Sequence, residues 1–146
     1  MREWGLRETM NEIENLLPHR EPFLFVDEIV EAAMEKIVAS HVFTEKEFFF
    51  KGHFPEYPVV PGIILVETMA QSGGAGLRKL GVLGDEGLFF LATVDKVKFR
   101  RQVRPGDKVR SEIENLRVSS RMIRQSGKAY VGEELAAEAE WMCLIK

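Results

Sequence analysis

Cysteine is scarce in this sequence, with Cys143 as its single representative. A lone cysteine cannot form a disulfide within the chain, and it cannot build a cluster of thiolate ligands for a metal. The three histidines, His19, His41 and His53, show no spacing that is typical of zinc ligands. We therefore expect no metal site in this chain.

Long hydrophobic runs are also absent. No stretch reaches the roughly 18 consecutive apolar residues of a membrane span, and residues 1–5 lack the apolar run of a signal peptide. We therefore expect no membrane span and a cytoplasmic location. The net charge of −3 speaks against nucleic acid as a partner.

Two segments are predicted to be helices within a single domain that covers residues 1–146. A length of 146 residues with 45% hydrophobic content is sufficient for one buried core. Residues 8–17 carry apolar side chains at helical spacing before Pro18 ends the pattern. Residues 61–80 form the longer candidate, and Pro61 suits its first turn because the missing N–H costs nothing there. This helix is apolar on nearly all sides, so we expect it to be buried.

The remainder of the chain is typical of β-structure. Predicted strands cover residues 23–30, 35–43, 88–104, 107–122 and 134–145, with a hairpin turn at 126–128. His41 is interpreted as an ordinary strand residue, because a single histidine without a partner is weak evidence for a site. A single apolar helix needs cover, and a curved antiparallel sheet wrapped around it supplies that cover. We therefore predict an α+β protein of the hot-dog fold.

Glu67 is the most informative residue for chemistry, because it is the only charged side chain between Tyr57 and Leu77. Burying an unpaired carboxylate costs several kcal/mol, roughly, or forces its pKa upward. A raised pKa is what a general acid needs near neutral pH. Glu67 is therefore a candidate catalytic acid, and the alternative is a carboxylate that only caps or pairs structurally.

His53 is the natural partner for Glu67. It lies in an aromatic loop, residues 48–55, that is followed by further prolines at Pro58 and Pro61. Each proline fixes φ and limits the conformations of the loop, so the loop can hold a side chain in place. Histidine titrates near neutral pH, which suits proton transfer. The alternative is a histidine that is merely packed within the loop.

Gly62 begins the long helix and supplies a candidate third element. The first N–H groups of a helix have no internal partner and lie at the positive end of its dipole. A thioester carbonyl that gains negative charge can accept from them, and glycine lets a substrate approach closely. The alternative is an ordinary helix start. Residues 73–76 resemble part of a dinucleotide-binding loop, but they lie inside the helix and better fit close packing.

Five positive side chains cluster within nine residues. They are Lys96, Lys98, Arg100, Arg101 and Arg104. Spacing alone favours a solvated strand face, and an acidic partner is the alternative.

Several motifs together resemble one enzyme family. Residues 52–62, GHFPEYPVVPG, followed by ETMAQ at 67–71, are similar to the β-hydroxyacyl-acyl carrier protein dehydratases of the FabZ type. The runs LPHREPFLFVD at 17–27 and DKVKFRRQVRPGD at 95–107 resemble further signatures of that family. The resemblance covers residues 12 to 145. The related FabA dehydratase–isomerases carry aspartate at the acidic position, so Glu67 favours the FabZ type.

The resemblance implies roles for four residues and an assembly. His53 and Glu67 fall on the catalytic pair, Gly62 on the donor to the thioester carbonyl, and Gln71 on a supporting hydrogen bond to the site. It implies a homodimer in which His53 of one chain faces Glu67 of the other, and three such dimers in a hexamer. The substrate would arrive on acyl carrier protein through a phosphopantetheine arm, and the positive cluster would then be a docking surface. No cofactor is expected.

The reaction that these roles imply is the reversible elimination of water from a (3R)-hydroxyacyl thioester to give the trans-2-enoyl product. His53 would take the C2 proton, Gly62 would stabilise the enolate-like oxygen, and Glu67 would protonate the departing hydroxyl. Three alternatives stay open at this point: a hot-dog acyl thioesterase, a non-catalytic acyl-binding module, and a FabA-like dehydratase–isomerase.

Overall fold

The computed structural model describes residues 12–84 and 86–146, which form one antiparallel sheet around a long helix. The strands are β1 (Glu28–Ala32), β2 (Ile37–Val42), β3 (Phe89–Phe99), β4 (Lys108–Val118), β5 (Met122–Val131) and β6 (Glu134–Ile145). A short 3₁₀ helix (Phe48–Lys51) and the central helix (Gly62–Lys79) lie between β2 and β3. The six strands are ordered β1-β2-β4-β5-β6-β3.

The central helix lies in the concave face of the sheet and contacts all six strands. Met69 and Leu77 on the helix are fully buried, as are Phe25 and Ile37. Each such side chain stabilises the fold by about 1.5–3 kcal/mol relative to leaving it in water. This arrangement confirms the predicted α+β class and the hot-dog fold.

Glycines within the central helix allow the sheet to approach its backbone. A Cβ at Gly76 would collide with the Ile37 side chain, and a Cβ at Gly73 would collide with the Gln125 amide. Gln125 is fully buried and accepts a hydrogen bond from the Trp141 indole at 3.2 Å. The glycine run at 73–76 therefore serves close helix–sheet packing.

The predicted hairpin turn at residues 126–128 is wrong. Strand β5 continues through Gly127, and the turn between β4 and β5 lies earlier, where the Ser119 N–H donates to the Met122 carbonyl and the Met122 N–H donates to the Ser119 hydroxyl oxygen. A Cβ at Gly127 would lie 2.5 Å from the Trp141 ring. The glycine therefore makes room for a large side chain on β6 rather than bending the chain.

The other element boundaries differ modestly from the prediction. Residues 12–16 are helical, and residues 8–11 of the predicted first helix lie outside the described residues. The strand predicted at 23–30 begins only at Glu28. The Gln71 side chain bonds the Phe25 N–H and the Phe23 carbonyl, so these backbone groups are not free to join a sheet ladder.

Strand β3 is the edge strand beside β6, and in the single chain its apolar side chains are exposed. Phe90, Leu91 and Phe99 are 48%, 40% and 55% exposed, respectively. Its pairing with β6 is interrupted between Asp95 and Lys98, where Lys96 has a positive φ of 52°. An open apolar edge of this kind is a template for pairing with another strand.

Candidate active site

Glu67 lies in the second turn of the central helix, with its carboxylate in an apolar cavity. Burial raises the pKa of Glu67 above its ordinary value, and a hydrogen bond from Gln71 opposes this rise. The Gln71 Nε2 group donates to Glu67 Oε2 at 2.9 Å. Desolvation is the larger effect, so the structure favours the protonated carboxyl more than water would.

Gln71 has a fixed orientation because both ends of its amide are bonded. Its Oε1 accepts from the Phe25 N–H at 2.8 Å, and its Nε2 donates to the Phe23 carbonyl at 3.2 Å as well as to Glu67. A backbone N–H can only donate, so the amide oxygen must face Phe25 and the NH₂ must face Glu67. Gln71 therefore holds the Glu67 side chain in one position.

His19 is a site residue that sequence reasoning missed. Its Nε2 lies 3.6 Å from Glu67 Oε2. Burial lowers the pKa of His19, and the positive charges of Arg20 and Arg78 lower it further. Its buried Nδ1 has no hydrogen-bond partner within residues 12–84 and 86–146. The available signal was its place in the LPHR run, which gives no spacing that links it to Glu67.

The cavity around Glu67 is small, at about 20 Å³, which is room for about one water molecule. It is lined by Leu17, His19, Glu67, Ala70, Gln71, Phe89, Leu91 and Cys143. Burial and the nearby Glu67 carboxylate raise the pKa of the Cys143 thiol to about 12, so Cys143 lines the cavity as an unreactive thiol. Two residues of the edge strand β3, Phe89 and Leu91, form its outer side.

His53 is held at the end of the short 3₁₀ helix. Its ring Nδ1 lies 3.0 Å from the Val59 carbonyl, and its backbone N–H donates to Phe49 at 3.0 Å. The ring also stacks on Phe54 with centroids 4.3 Å apart. A carbonyl can only accept, so Nδ1 carries the hydrogen. In the neutral ring, Nε2 then has a free lone pair and can accept a proton.

Gly62 lies at the start of the central helix, beside an open cleft of about 450 Å³. Val59, whose carbonyl holds the His53 ring, lines the same cleft. The Ile64 N–H bonds the Pro61 carbonyl at 2.9 Å, while no backbone acceptor within the described residues engages the Gly62 N–H. A Cβ at Gly62 would lie 2.7 Å from the Phe99 ring. The Phe99 ring can therefore pack over the start of the helix only because residue 62 is glycine.

The predicted pair, His53 and Glu67, is not joined within one chain. No hydrogen bond and no common cavity links the two side chains among the described residues. The Glu67 cavity is lined by Phe89 at one end of β3, whereas the cleft at Gly62 is lined by Phe99 at the other end.

The positive cluster is partly neutralised by neighbouring carboxylates. Lys96 pairs with Glu140 at 3.3 Å, and Arg100 pairs with Glu138 at 3.1 Å. The other three members lie nearby in different settings: Arg101 contacts Asp107 at 3.3 Å, the Arg104 guanidinium lies 4.1 Å above the Tyr57 ring, and Lys98 is exposed. The hydrogen bond from Arg100 lowers the pKa of Glu138, and the positive charge of Lys98 also helps to lower it.

No metal-binding arrangement of three His, Cys, Asp or Glu side chains occurs within residues 12–84 and 86–146. In the same described residues, no helix has the length and apolar content needed to span a bilayer.

A family model described as the FabA-like domain matches residues 17–140. This range includes the Glu67 cavity, the His53 loop and the helix start. The chain belongs to the FabA-like family. Relatives within it include the 3-hydroxyacyl-[acyl-carrier-protein] dehydratase FabZ of Desulforamulus reducens, which is 46% identical over 93% of this chain and 96% of that protein. The FabZ of Pelotomaculum thermopropionicum is 42% identical over 94% of this chain and 98% of that protein. The FabZ resemblance is confirmed.

Solved structures show where this FabA-like chain stands by fold alone. The dehydratase heterocomplex ApeI:P from Xenorhabdus doucetiae matches with a TM-score of 0.77 at 16% identity, over 92% of this chain and 90% of that chain. A hypothetical thioesterase from Streptococcus pneumoniae, solved with coenzyme A, matches with a TM-score of 0.61 at 10% identity, over 97% and 96%. The fold alone therefore does not separate a dehydratase from a thioesterase.

Proposed function

We propose that this chain removes water from a (3R)-hydroxyacyl group carried on acyl carrier protein and gives the trans-2-enoyl product, a step of fatty acid biosynthesis. The observation that carries this proposal is Glu67, a carboxyl held by Gln71 in an apolar cavity that raises its pKa. Such a group can give a proton to a leaving hydroxyl near neutral pH. The relatives named FabZ dehydratases support the same reaction.

The chemical steps follow from the roles of three groups. His53 Nε2 takes the proton from C2, and the electron pair of that bond forms the C2–C3 double bond. The Gly62 N–H stabilises the negative charge that develops on the thioester oxygen. Glu67 gives its proton to the C3 hydroxyl as the C3–O bond breaks, and water leaves. The thioester itself acidifies C2, so the reaction needs no cofactor.

The active site in this proposal is shared between two chains. Pairing of β3 with a second copy would cover its exposed apolar side chains, and a twofold axis makes such pairing antiparallel. The Phe89 end of one strand then lies beside the Phe99 end of the other. This brings the Glu67 cavity of one chain next to the cleft at Gly62 and His53 of its partner.

Mixing two inactive variants tests the shared site. In a mixed dimer of His53→Ala and Glu67→Gln chains, one site carries both substitutions and the other carries neither. Random mixing makes half of the dimers mixed, so about a quarter of the wild-type activity should return. The readout is enoyl product formed after the chains are unfolded together and refolded. Each variant refolded alone is the control, and mixing that restores nothing would contradict the shared site.

The proposal also includes assembly of the dimers into a larger oligomer and a cytoplasmic location for the enzyme. Besides β3, the chain exposes apolar rings at Phe23, Phe48 and Phe54, which offer surface for contacts between dimers. We propose three dimers in a hexamer. Sedimentation equilibrium gives the mass directly, and a mass of one dimer at working concentration would rule the hexamer out.

The positive cluster is proposed to dock the acidic carrier protein. Charge on such a surface mainly raises the rate of encounter and is screened by salt. Lys98→Ala should therefore raise the Michaelis constant for carrier-bound substrate several-fold at low salt, and high salt should abolish the difference. The same substrate on a short pantetheine thioester is the control, because it lacks the protein surface. An equal effect on both substrates would refute docking at Lys98.

The competing activities differ in their products. A thioesterase would release a free thiol without enoyl absorbance, and an isomerising dehydratase would also give the cis-3-enoyl product. Because the fold is common to dehydratases and thioesterases, product identification with a carrier-bound hydroxyacyl substrate separates them. Thiol release as the main outcome would overturn the proposed dehydration.

A further inference from the structure

A third histidine, His41 on β2, is the buried centre of an ionic cluster away from the Glu67 cavity. Its Nδ1 lies 2.8 Å from Asp27 Oδ1, and its Nε2 lies 2.8 Å from Glu47 Oε1. The His41 side chain is only 7% exposed. Phe25 and Phe43 pack edge-on against its ring, with centroids 5.8 Å and 4.6 Å away. Asp27 and Glu47 lie 14 and 6 residues from His41 along the chain, a spacing that matches no recognised motif, so the sequence alone did not indicate this cluster.

The contacts of His41 fix its charge. Ionised carboxylates only accept hydrogen bonds, so both ring nitrogens must carry hydrogens and the ring is an imidazolium. Burial lowers the pKa of His41, but the hydrogen bonds and charges of Asp27 and Glu47 outweigh burial and raise the pKa to about 9. Glu21 and Lys46 line the adjacent cleft and are the other charged groups on that side.

The contact of His41 with Glu47 connects the cluster to His53. Glu47 immediately precedes the 3₁₀ helix Phe48–Lys51, and its carbonyl accepts the Phe50 N–H at 3.3 Å. Phe49, in that helix, accepts the His53 N–H at 3.0 Å. The bond from His41 to Glu47 therefore anchors the start of the short turn that ends at His53.

The contact of His41 with Asp27 connects the cluster to Glu67. Asp27 Oδ2 accepts the Val42 N–H at 2.7 Å, which ties the segment before β1 to β2. Two residues earlier, the Phe25 N–H donates to Gln71, and Gln71 holds Glu67. The bond from His41 to Asp27 therefore anchors the segment that orients the Gln71 amide.

We propose that His41 is a positioning residue for dehydration, because its ring joins the segment that places His53 to the segment that places Glu67. The inference depends on the proposed function, since it assigns His41 to the support of that active site. His41 touches neither substrate nor reacting atoms. Its contribution is to keep both proton-transfer groups at their working positions, where a displacement of about 1 Å costs on the order of 100-fold in rate.

The test compares His41→Gln with His41→Lys. Glutamine removes the positive charge, and lysine restores a charged donor between the two carboxylates. We expect H41Q to lower kcat on the order of 10- to 100-fold with a smaller change in KM, and H41K to recover most of the loss. Recovery of kcat in H41K would show that the positive charge matters, because a residue that only fills space would not need one.

Instability is separated from positioning by a matched control. Ile113→Val weakens the sheet core at a fully buried residue that pairs with Ile37 rather than with His41 on β2. A destabilised but correctly positioned I113V enzyme should keep its kcat at a temperature where it is folded. If H41Q fails to fold, Glu47→Gln removes one charge of the cluster and should still lower kcat several-fold.

The outcomes distinguish the inference from the function on which it depends. A wild-type enzyme without dehydratase activity overturns the proposed function. An active wild type with an H41Q variant, or an E47Q variant in its place, that keeps kcat within about twofold overturns the role of His41. Equal loss in H41Q and H41K would also count against it, because the charge would then be irrelevant.

Discussion

Substituting His41 by glutamine should remove a pH-dependent part of the stability of this protein. The ring is charged between Asp27 and Glu47, and its pKa of about 9 in the folded chain compares with 6.5 for an unperturbed histidine. This difference corresponds to about 3 kcal/mol of stabilisation. His41 is 7% exposed and Glu47 13%, but the Asp27 side chain is 43% exposed, so solvent screens the Asp27 contact and about 3 kcal/mol is an upper value.

The pH window follows from the direction of the pKa change. Below about pH 6.5 the imidazole is charged in both the folded and the unfolded chain, and the stabilisation is fully present. As pH rises, the unfolded chain loses its proton first, and the folded chain loses it near pH 9. The free energy of unfolding of wild type minus that of H41Q should therefore fall by up to about 3 kcal/mol between about pH 6 and pH 10.

Urea unfolding at several pH values measures this difference. The buried Trp141 provides a fluorescence signal, and protein concentration is held constant because a dimer unfolds with concentration dependence. His53→Gln is the control, since that ring contacts the Val59 carbonyl and no carboxylate among the described residues. A difference between wild type and H41Q that stays within about 0.5 kcal/mol over the whole range would refute the charged cluster.

Three further predictions follow from buried groups. Glu67→Gln should gain stability relative to wild type as pH rises above about 4.5, because ionising a carboxyl of raised pKa costs the folded state; a gain on acidification in urea unfolding would contradict this. Cys143, buried with a pKa of about 12, should resist a thiol reagent at pH 8 in the native protein and react once urea unfolds it, whereas rapid native labelling would refute its burial. Gly127→Ala should lower stability by about 1–3 kcal/mol in a urea titration, because its Cβ meets the Trp141 ring, and an unchanged midpoint would refute that contact.

The central helix was the element that sequence reasoning predicted best. An apolar segment that begins at Pro61 is predicted at residues 61–80, and the structure has Gly62–Lys79. Local information is sufficient here, because helix period, start and burial are all encoded within the segment. The isolation of Glu67 in this segment was likewise visible, since one carboxylate among apolar neighbours requires an explanation.

Residue types with two common uses caused the errors. Sequence pattern places Gly127 in a turn, whereas the structure places it within β5 beneath the Trp141 ring. A glycine marks a turn in one context and a close approach in another, and the tryptophan that decides between them is on a different strand. The strand predicted from Phe23 starts late for a similar reason, because its backbone groups are bonded to a helix side chain, Gln71.

The two missed histidines show the limit of reading along the chain. His19 reaches Glu67, and His41 reaches Asp27 and Glu47, through contacts that only the folded topology creates. A histidine gives the same signal in a sequence whether or not a carboxylate lies beside it in space. The candidates His53, Gly62 and Glu67 came from local sequence features, and the pairing of His53 with Glu67 across two chains came from motif resemblance. Their catalytic roles stay a prediction that the variant-mixing experiment tests.

The open apolar edge of β3 also has a consequence for newly made protein. Until a second copy covers it, the strand offers unpaired backbone groups and exposed rings to any other unfolded chain, which is a hazard for aggregation. The bulge at Lys96 and the charge of Lys98 interrupt this edge, and such features discourage pairing with foreign strands. Replacing Lys96 and Lys98 by uncharged residues would therefore increase aggregation of newly made chains and lower the yield of native enzyme at high expression.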